Sequence, residues 1–195
     1  MGSANLLLIV ISAAFTENIL LFRFLGVCPA LACSRRRDVA AGLGVAVLFV
    51  TTFTAALNHL LHVHVLVRFG LEHLELVLFI AVIAAFVQFI EMLMDRFFPR
   101  LYHGLGIFLP LITVNCAILG TSLFMVLREL TFVGAVVYGF GSGLGWMVAI
   151  QLMAALRGGM NDERVPRPFR GVPVALILIG ILAMIVRGLI AVGTS

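Results

Sequence analysis

The sequence predicts an all-α integral membrane protein of six transmembrane helices, arranged as two inverted three-helix repeats whose first and fourth helices are broken. Three observations carry this. The 195-residue chain is 63% hydrophobic and 11% charged, with a mean hydropathy of +1.20, whereas soluble domains carry about 25% charged residues. Its apolar residues fall into continuous runs, each near the roughly 20 residues that cross about 30 Å of hydrocarbon; barrel strands would alternate over about ten. All 13 basic residues are arginine, and they crowd into alternate connections.

The first run, about Asn5 to Val27, carries Glu17 and Asn18 and leads into FLGVCPALAC (24–33), then Arg35, Arg36 and Arg37. It lacks a basic leader region and a small-residue cleavage site, and is expected as a retained span. The second, about Val39 to Leu61, ends among His59, His62 and His64. The third, about Leu74 to Met94, holds Gln88 and Glu91 on one helix face and closes with Asp95, Arg96, Pro99 and Arg100. The fourth, about Gly104 to Leu127, contains Pro110, Asn115 and Cys116 and ends at Arg128 and Glu129. The fifth, about Phe132 to Leu156, precedes a polar connection with arginines at 157, 164, 167 and 170, and the sixth runs from about Val172 to Val192.

The connections after runs one, three and five hold most of the arginines; those after two and four hold Arg68 and Arg128. By the positive-inside rule the odd connections are cytoplasmic and both termini lie outside. Runs one and four each open a three-helix unit and each carries a cysteine, so residues 1–98 and 99–195 are expected as inverted repeats within one membrane domain. Such repeats build sites near mid-membrane from interrupted helices. If both segments were plain helices, Cys28 would lie near the cytoplasmic face and Cys116 about 18 Å deep, at about 1.5 Å per residue. The two could then share nothing. A shared site requires a break, and Gly26, Pro29 and Pro110 are the residues able to make one.

Two readings of Cys28 and Cys116 stand at this point. Free cysteine is usually a small buried hydrophobe. Alternatively, thiolates buried in a membrane serve as ligands for a soft metal or an iron-sulfur cluster, which takes four cysteines, so this chain would supply half a set and a similar subunit the other half. Glu17 and Glu91 are either hydrogen-bonding groups between helices or part of an ion path, and Glu91 is also placed to pair with Arg96. The histidines read as interfacial polar residues. Glycines 139, 141, 143 and 145 fit no phosphate-loop spacing; as two overlapping GxxxG patterns they predict a close helix contact. No hydrolytic triad, nucleotide motif or flavin motif is present, and the formal charge of +4 is no nucleic-acid signal. Membrane lipid is the expected surrounding.

FRFLGVCPAL (22–31), QFIEMLMDRFFPRLY (88–102), LGIFLPLITVNCAILG (105–120), VVYGFGSGLGWM (136–147) and VPRPFRG (165–171) resemble the RnfA/NqrE family across essentially the whole chain. These are subunits of the Rnf ion-translocating ferredoxin:NAD oxidoreductase and of the Na+-translocating NADH:quinone reductase. The resemblance implies half-helices that bring two cysteines to mid-membrane, where they hold one 2Fe-2S cluster with two cysteines of a sister six-helix subunit, RnfE or NqrD. Carried over by motif, the iron ligands are Cys28 and Cys116; Cys33 has no counterpart. Asn115, Glu17 and Glu91 are candidates on their own chemistry, as polar groups in apolar spans, for a place beside the site or on an ion path. The implied role is electron transfer across the bacterial inner membrane, coupled to Na+ or H+ movement, beside flavin-carrying RnfD and RnfG and iron-sulfur RnfB and RnfC. DRFFPRLY and YGFGSGLGWM favour NqrE, and CPAL with the short VLVRFGLEHLEL connection favours RnfA, towards which the reading leans. An inverted-repeat ion or solute transporter without a redox centre is the rival class.

Overall fold

The structure, a computed structural model, describes residues 8–70, 72–97, 109–160, 166 and 169–193, all of them helix or connection. Asn5, Pro99, Arg100, the opening of the fourth run at 104–108, Arg164, Arg167 and the boundary between the expected repeats lie outside the described residues. Among the described residues, five helices are long and apolar enough to cross a membrane. In chain order the elements are α1 (8–16), whose last turn Ser12–Thr16 is a π-helix, α2 (Val27–Cys33), α3 (Arg37–Leu61), α4 (Glu75–Phe97), α5 (Leu109–Thr113), α6 (Cys116–Leu127), α7 (Phe132–Gly158) and α8 (Val172–Gly193). A π-turn, His62–Leu66, and Val67–Phe69 prolong α3 to a left-handed Gly70.

The first run is divided in the way the depth argument requires. Glu17 N–H bonds back to Ser12 O at 2.7 Å, the wide π closure that ends α1. Asn18 then makes the break. Its Nδ2 donates to Ala14 O at 3.0 Å and Gly145 O at 2.8 Å, while its Oδ1 accepts from Leu20 N at 3.1 Å and Leu21 N at 3.4 Å. A short amide that satisfies backbone groups on both sides of a chain reversal competes with helix continuation. Irregular turns with Ile19, Leu20 and Leu21 buried lead to Gly26 at φ +79°, from which α2 starts. Pro29 sits in the first turn of α2, where its missing N–H costs no intrahelical bond.

The fourth run is interrupted too, but not at the expected residue. Pro110 lies inside α5, and the break falls later, at Val114–Asn115. Asn115 is extended and caps α6, its Oδ1 accepting from Ala117 N at 3.0 Å. A side-chain cap thus does locally what proline was expected to do.

The glycine-rich α7 is the centre of the bundle. A Cβ on Gly139 would lie 2.7 Å from Ala55 Cβ, and one on Gly143 2.9 Å from Leu48 Cα, both on α3. On the opposite side a Cβ on Gly141 would meet Val10 Cα at 3.1 Å, and one on Gly145 would meet Ala14 O at 2.6 Å, both on α1. Each expected GxxxG pattern therefore seats a different neighbour at backbone distance. Trp146, between these stripes, is wholly buried beside Leu43, Val47, Ile118 and Ile150 in the main apolar cluster. The remaining faces carry exposed Val, Leu, Ile, Phe and Met, among them Val45, Phe49, Val77, Met92, Met184 and Leu189, as a lipid-facing exterior requires.

Arginines close the ends. Arg157 Nη1 donates to Leu31 O at 3.0 Å and to Ser34 Oγ at 2.6 Å, and Arg37 Nη2 to Ala155 O at 3.5 Å. These guanidinium groups satisfy carbonyls at helix C-termini, where the macrodipole favours a cation.

Candidate functional site

The two breaks bring the starts of α2 and α6 together. Gly26 N–H donates to the Cys116 sulfur at 2.8 Å, and Cys28 follows two residues later, so its Cα lies within about 8 Å of the Gly26 Cα at about 3.8 Å per step. Both cysteines sit in the first turn of their helices, among the N–H groups that have no intrahelical acceptor. The continuous helices on which the depth conflict rested are absent, since both segments are interrupted. Cys28 is exposed and Cys116 partly buried, with no disulfide; Cys33 is buried at the far end of α2, away from this meeting point.

A groove of ≈ 240 Å³ opens beside Cys116, lined by Ile80, Ile83, Thr113, Val114, Asn115 and Leu119. Asn115 is 2% exposed, and with Oδ1 engaged in capping, its Nδ2 is buried without a partner. An unsatisfied buried donor costs about 1–3 kcal/mol. Opposite, Trp146 Nε1 donates to Gly26 O at 3.3 Å. The donor set fits half of a thiolate-ligated cluster: the Cys116 sulfur accepting a backbone N–H, the Cys28 thiol two residues beyond that N–H, and an amide without a partner on the residue before Cys116. Among the described residues no three His, Cys, Asp or Glu side chains converge on one point.

The other sequence candidates lie elsewhere. Glu17, at the end of α1, is paired with Arg128 at the end of α6, each side chain 37% exposed. Arg128 also lies over the Tyr138 ring, with Cζ 5.3 Å from its centroid, and with Ser12, Leu8, Ile9 and Leu130 they line a second cavity of ≈ 240 Å³. Glu91 stands near the C-terminal end of α4 with Oε1 buried and unpartnered. Of the histidines, His59 Nε2 lies 2.9 Å from Leu130 O. Sequence reasoning missed Asn18 as the residue that breaks the first span, Arg128 as the partner of Glu17, and Trp146 as a support of the cysteine site. Trp146 could have been noticed as the chain's one tryptophan, set among glycines in an apolar run.

Fold and site together define a multi-span membrane protein in which two interrupted spans set two cysteine-bearing helix starts side by side. The chain belongs to the Rnf-Nqr family: the family described as Rnf-Nqr subunit, membrane protein, matches residues 6–193. It is 45% identical over 187 residues to the NqrE subunit of the Na(+)-translocating NADH-quinone reductase of Hahella chejuensis, covering 90% of this chain and 92% of the relative. The NqrE subunit from Serratia proteamaculans is 47% identical over 181 residues, with 89% and 91% covered. That from Chlamydia trachomatis serovar L2 is 45% identical over 203 aligned positions, with 98% and 83% covered.

Proposed function

We propose that this chain is the membrane electron-transfer subunit of a redox-driven ion-translocating complex of the Rnf-Nqr type, holding one 2Fe-2S cluster jointly with a sister six-helix subunit. The observation that carries the reading is the contact of Gly26 N–H with the Cys116 sulfur, since it sets the two cysteine-bearing half-helices against each other. Cys28 and Cys116 would supply two of the four thiolate ligands, and the sister subunit the other two. A 2Fe-2S cluster bound there would supply one-electron redox chemistry. The chain's own residues hold the sulfurs in place, supply N–H donors to them, and shield the site with the apolar walls of Ile80, Ile83 and Leu119. Exposure of Cys28 on a single chain is what a ligand facing a second subunit needs.

The two halves, 1–98 and 99–195, form the inverted repeats of this reading, supported by one interrupted span in each. Relatives named as NqrE subunits of a Na(+)-translocating NADH-quinone reductase support the quinone-reductase branch, against the lean towards Rnf drawn from CPAL and the short VLVRFGLEHLEL connection. Under either branch the protein sits in the bacterial inner membrane with its arginine-rich odd connections in the cytoplasm. The partners are a sister of the NqrD or RnfE kind and the flavin and iron-sulfur subunits of the complex.

The test is electron paramagnetic resonance and iron analysis of purified complex carrying Cys28→Ala or Cys116→Ala. Each variant is expected to lose the share of the 2Fe-2S signal and of the iron that this site contributes, while the subunits stay assembled. An undiminished signal in both overturns the reading, and so does solute or ion transport by the isolated, iron-free chain in liposomes.

A further inference from the structure

We propose that Gly26, Trp146 and Asn115 are positioning residues that set the reduction potential of the group held at Cys116: the indole clamps the Gly26 backbone so that its N–H stays on the sulfur, and the Asn115 amide supplies a second donor from the groove. The inference rests on the reading of Cys116 as an iron ligand and deepens it. Four observations converge. Gly26 is held in the left-handed region at φ +79°, ψ 22°, where few side chains are tolerated. Its two polar backbone atoms are both engaged, N–H to Cys116 Sγ at 2.8 Å and C=O to Trp146 Nε1 at 3.3 Å. A Cβ at this position would stand 2.5 Å from Trp146 Nε1, 2.8 Å from Ala117 Cβ and 3.0 Å from Asn115 Oδ1, so indole, glycine and the start of α6 are one packed unit. Asn115, 2% exposed, lines the groove together with Cys116, and its Nδ2 is buried without a partner among the described residues.

A donor aimed at a ligand sulfur stabilises the more negative, reduced form of a cluster and raises its potential. Trp146 reaches the sulfur only through Gly26; being 0% exposed and packed among Leu43, Val47 and Ile150, it cannot swing away and release the carbonyl. Asn115 Nδ2 is a donor with no acceptor among the described residues, and a sulfur-rich group at Cys116 is the class of ligand that supplies one. Asn115 therefore has two tasks on two atoms, Oδ1 capping α6 and Nδ2 facing the ligand.

The experiment uses the assembled holo complex with Trp146→Phe, which keeps an aromatic ring without the N–H, and Asn115→Ser, which keeps a helix cap without the amide donor. Iron content, EPR g values and the midpoint potential from a redox titration are read for each. Expected is full iron with g values displaced and a midpoint potential more negative than in the parent, in both variants. A potential and g values equal to the parent's in Trp146→Phe overturn the clamp, and the same result in Asn115→Ser overturns the second donor. If the phenylalanine variant does not assemble, Trp146→Tyr replaces it, since a phenol cannot place its donor where the indole N–H sits, and the same shift is required. Should Cys28→Ala and Cys116→Ala both keep the signal, the cluster assignment itself has failed; signal loss there with unchanged potentials here removes this inference alone.

Discussion

Asn18 and Gly26 show how much of this site hangs on single side chains, or on the lack of one. Asn18 spends its amide on four backbone groups across the break. At about 0.5–1.5 kcal/mol net per hydrogen bond and without full additivity, Asn18→Ala is expected to lower stability by about 1–3 kcal/mol, read as an earlier thermal transition in detergent. Gly26→Ala combines a positive φ with contacts of 2.5 and 2.8 Å for the new methyl group. It is expected to cost more than the about 1–3 kcal/mol of backbone strain alone, and to lose bound iron in the complex. The Glu17–Arg128 pair is a different case. With both side chains 37% exposed, solvent screening limits it to about 0.2–1 kcal/mol. A double-mutant cycle with Glu17→Gln and Arg128→Gln, followed by thermal melting, is expected to return a coupling within that range; a coupling of several kcal/mol would show a desolvated pair.

Among the elements, α7 decides the packing. Its glycines at 139 and 143 admit α3, and those at 141 and 145 admit α1, because a missing Cβ lets backbones approach and makes dispersion contacts along both seams. Gly145→Ala would drive a methyl group to 2.6 Å from Ala14 O, whereas Gly188 in α8 has nothing within 4 Å. Gly145→Ala is thus expected to destabilise by about 1–3 kcal/mol, as overpacking does. Gly188→Ala is expected to be neutral or to stabilise by up to about 1 kcal/mol, the helix-propensity difference. Parallel thermal melts of the two variants separate seam glycines from bystanders. Helix interruption also belongs to this scale: both short helices of the site, α2 and α6, begin where a backbone N–H is freed by a break rather than where the run of apolar residues begins.

At the level of the whole molecule, the arginines are arranged to serve both topology and packing. Arg37 and Arg157 belong to the connections expected in the cytoplasm, and both cap carbonyls of neighbouring helices. Reporter fusions are expected to place a junction after residue 160 in the cytoplasm and one after residue 129 outside, following the positive-inside bias. A cytoplasmic reporter at 129 would reverse that assignment. The exposed Cys28 on an otherwise well-packed bundle is consistent with a chain completed by a second subunit.

The class of fold, the positions of the apolar runs, the family and the close seams of α7 were legible in the sequence, because length, hydropathy and the absence of side chains on glycine act locally and survive without tertiary context. That a shared cysteine site requires a break was legible too, as a contradiction in depth. The position and agent of each break were not. Pro110 carries the strong local signal, yet Val114–Asn115 is where the fourth run is interrupted, and the first gives way at Asn18, whose four hydrogen bonds include one to Gly145. The sequence by itself determined that this chain lives in lipid and carries thiols there. Only the tertiary structure decided that Gly26, Trp146 and Asn115 gather round Cys116, since a hydrogen bond between residues 90 or 120 positions apart depends on how three helices are seated, and no local pattern records that.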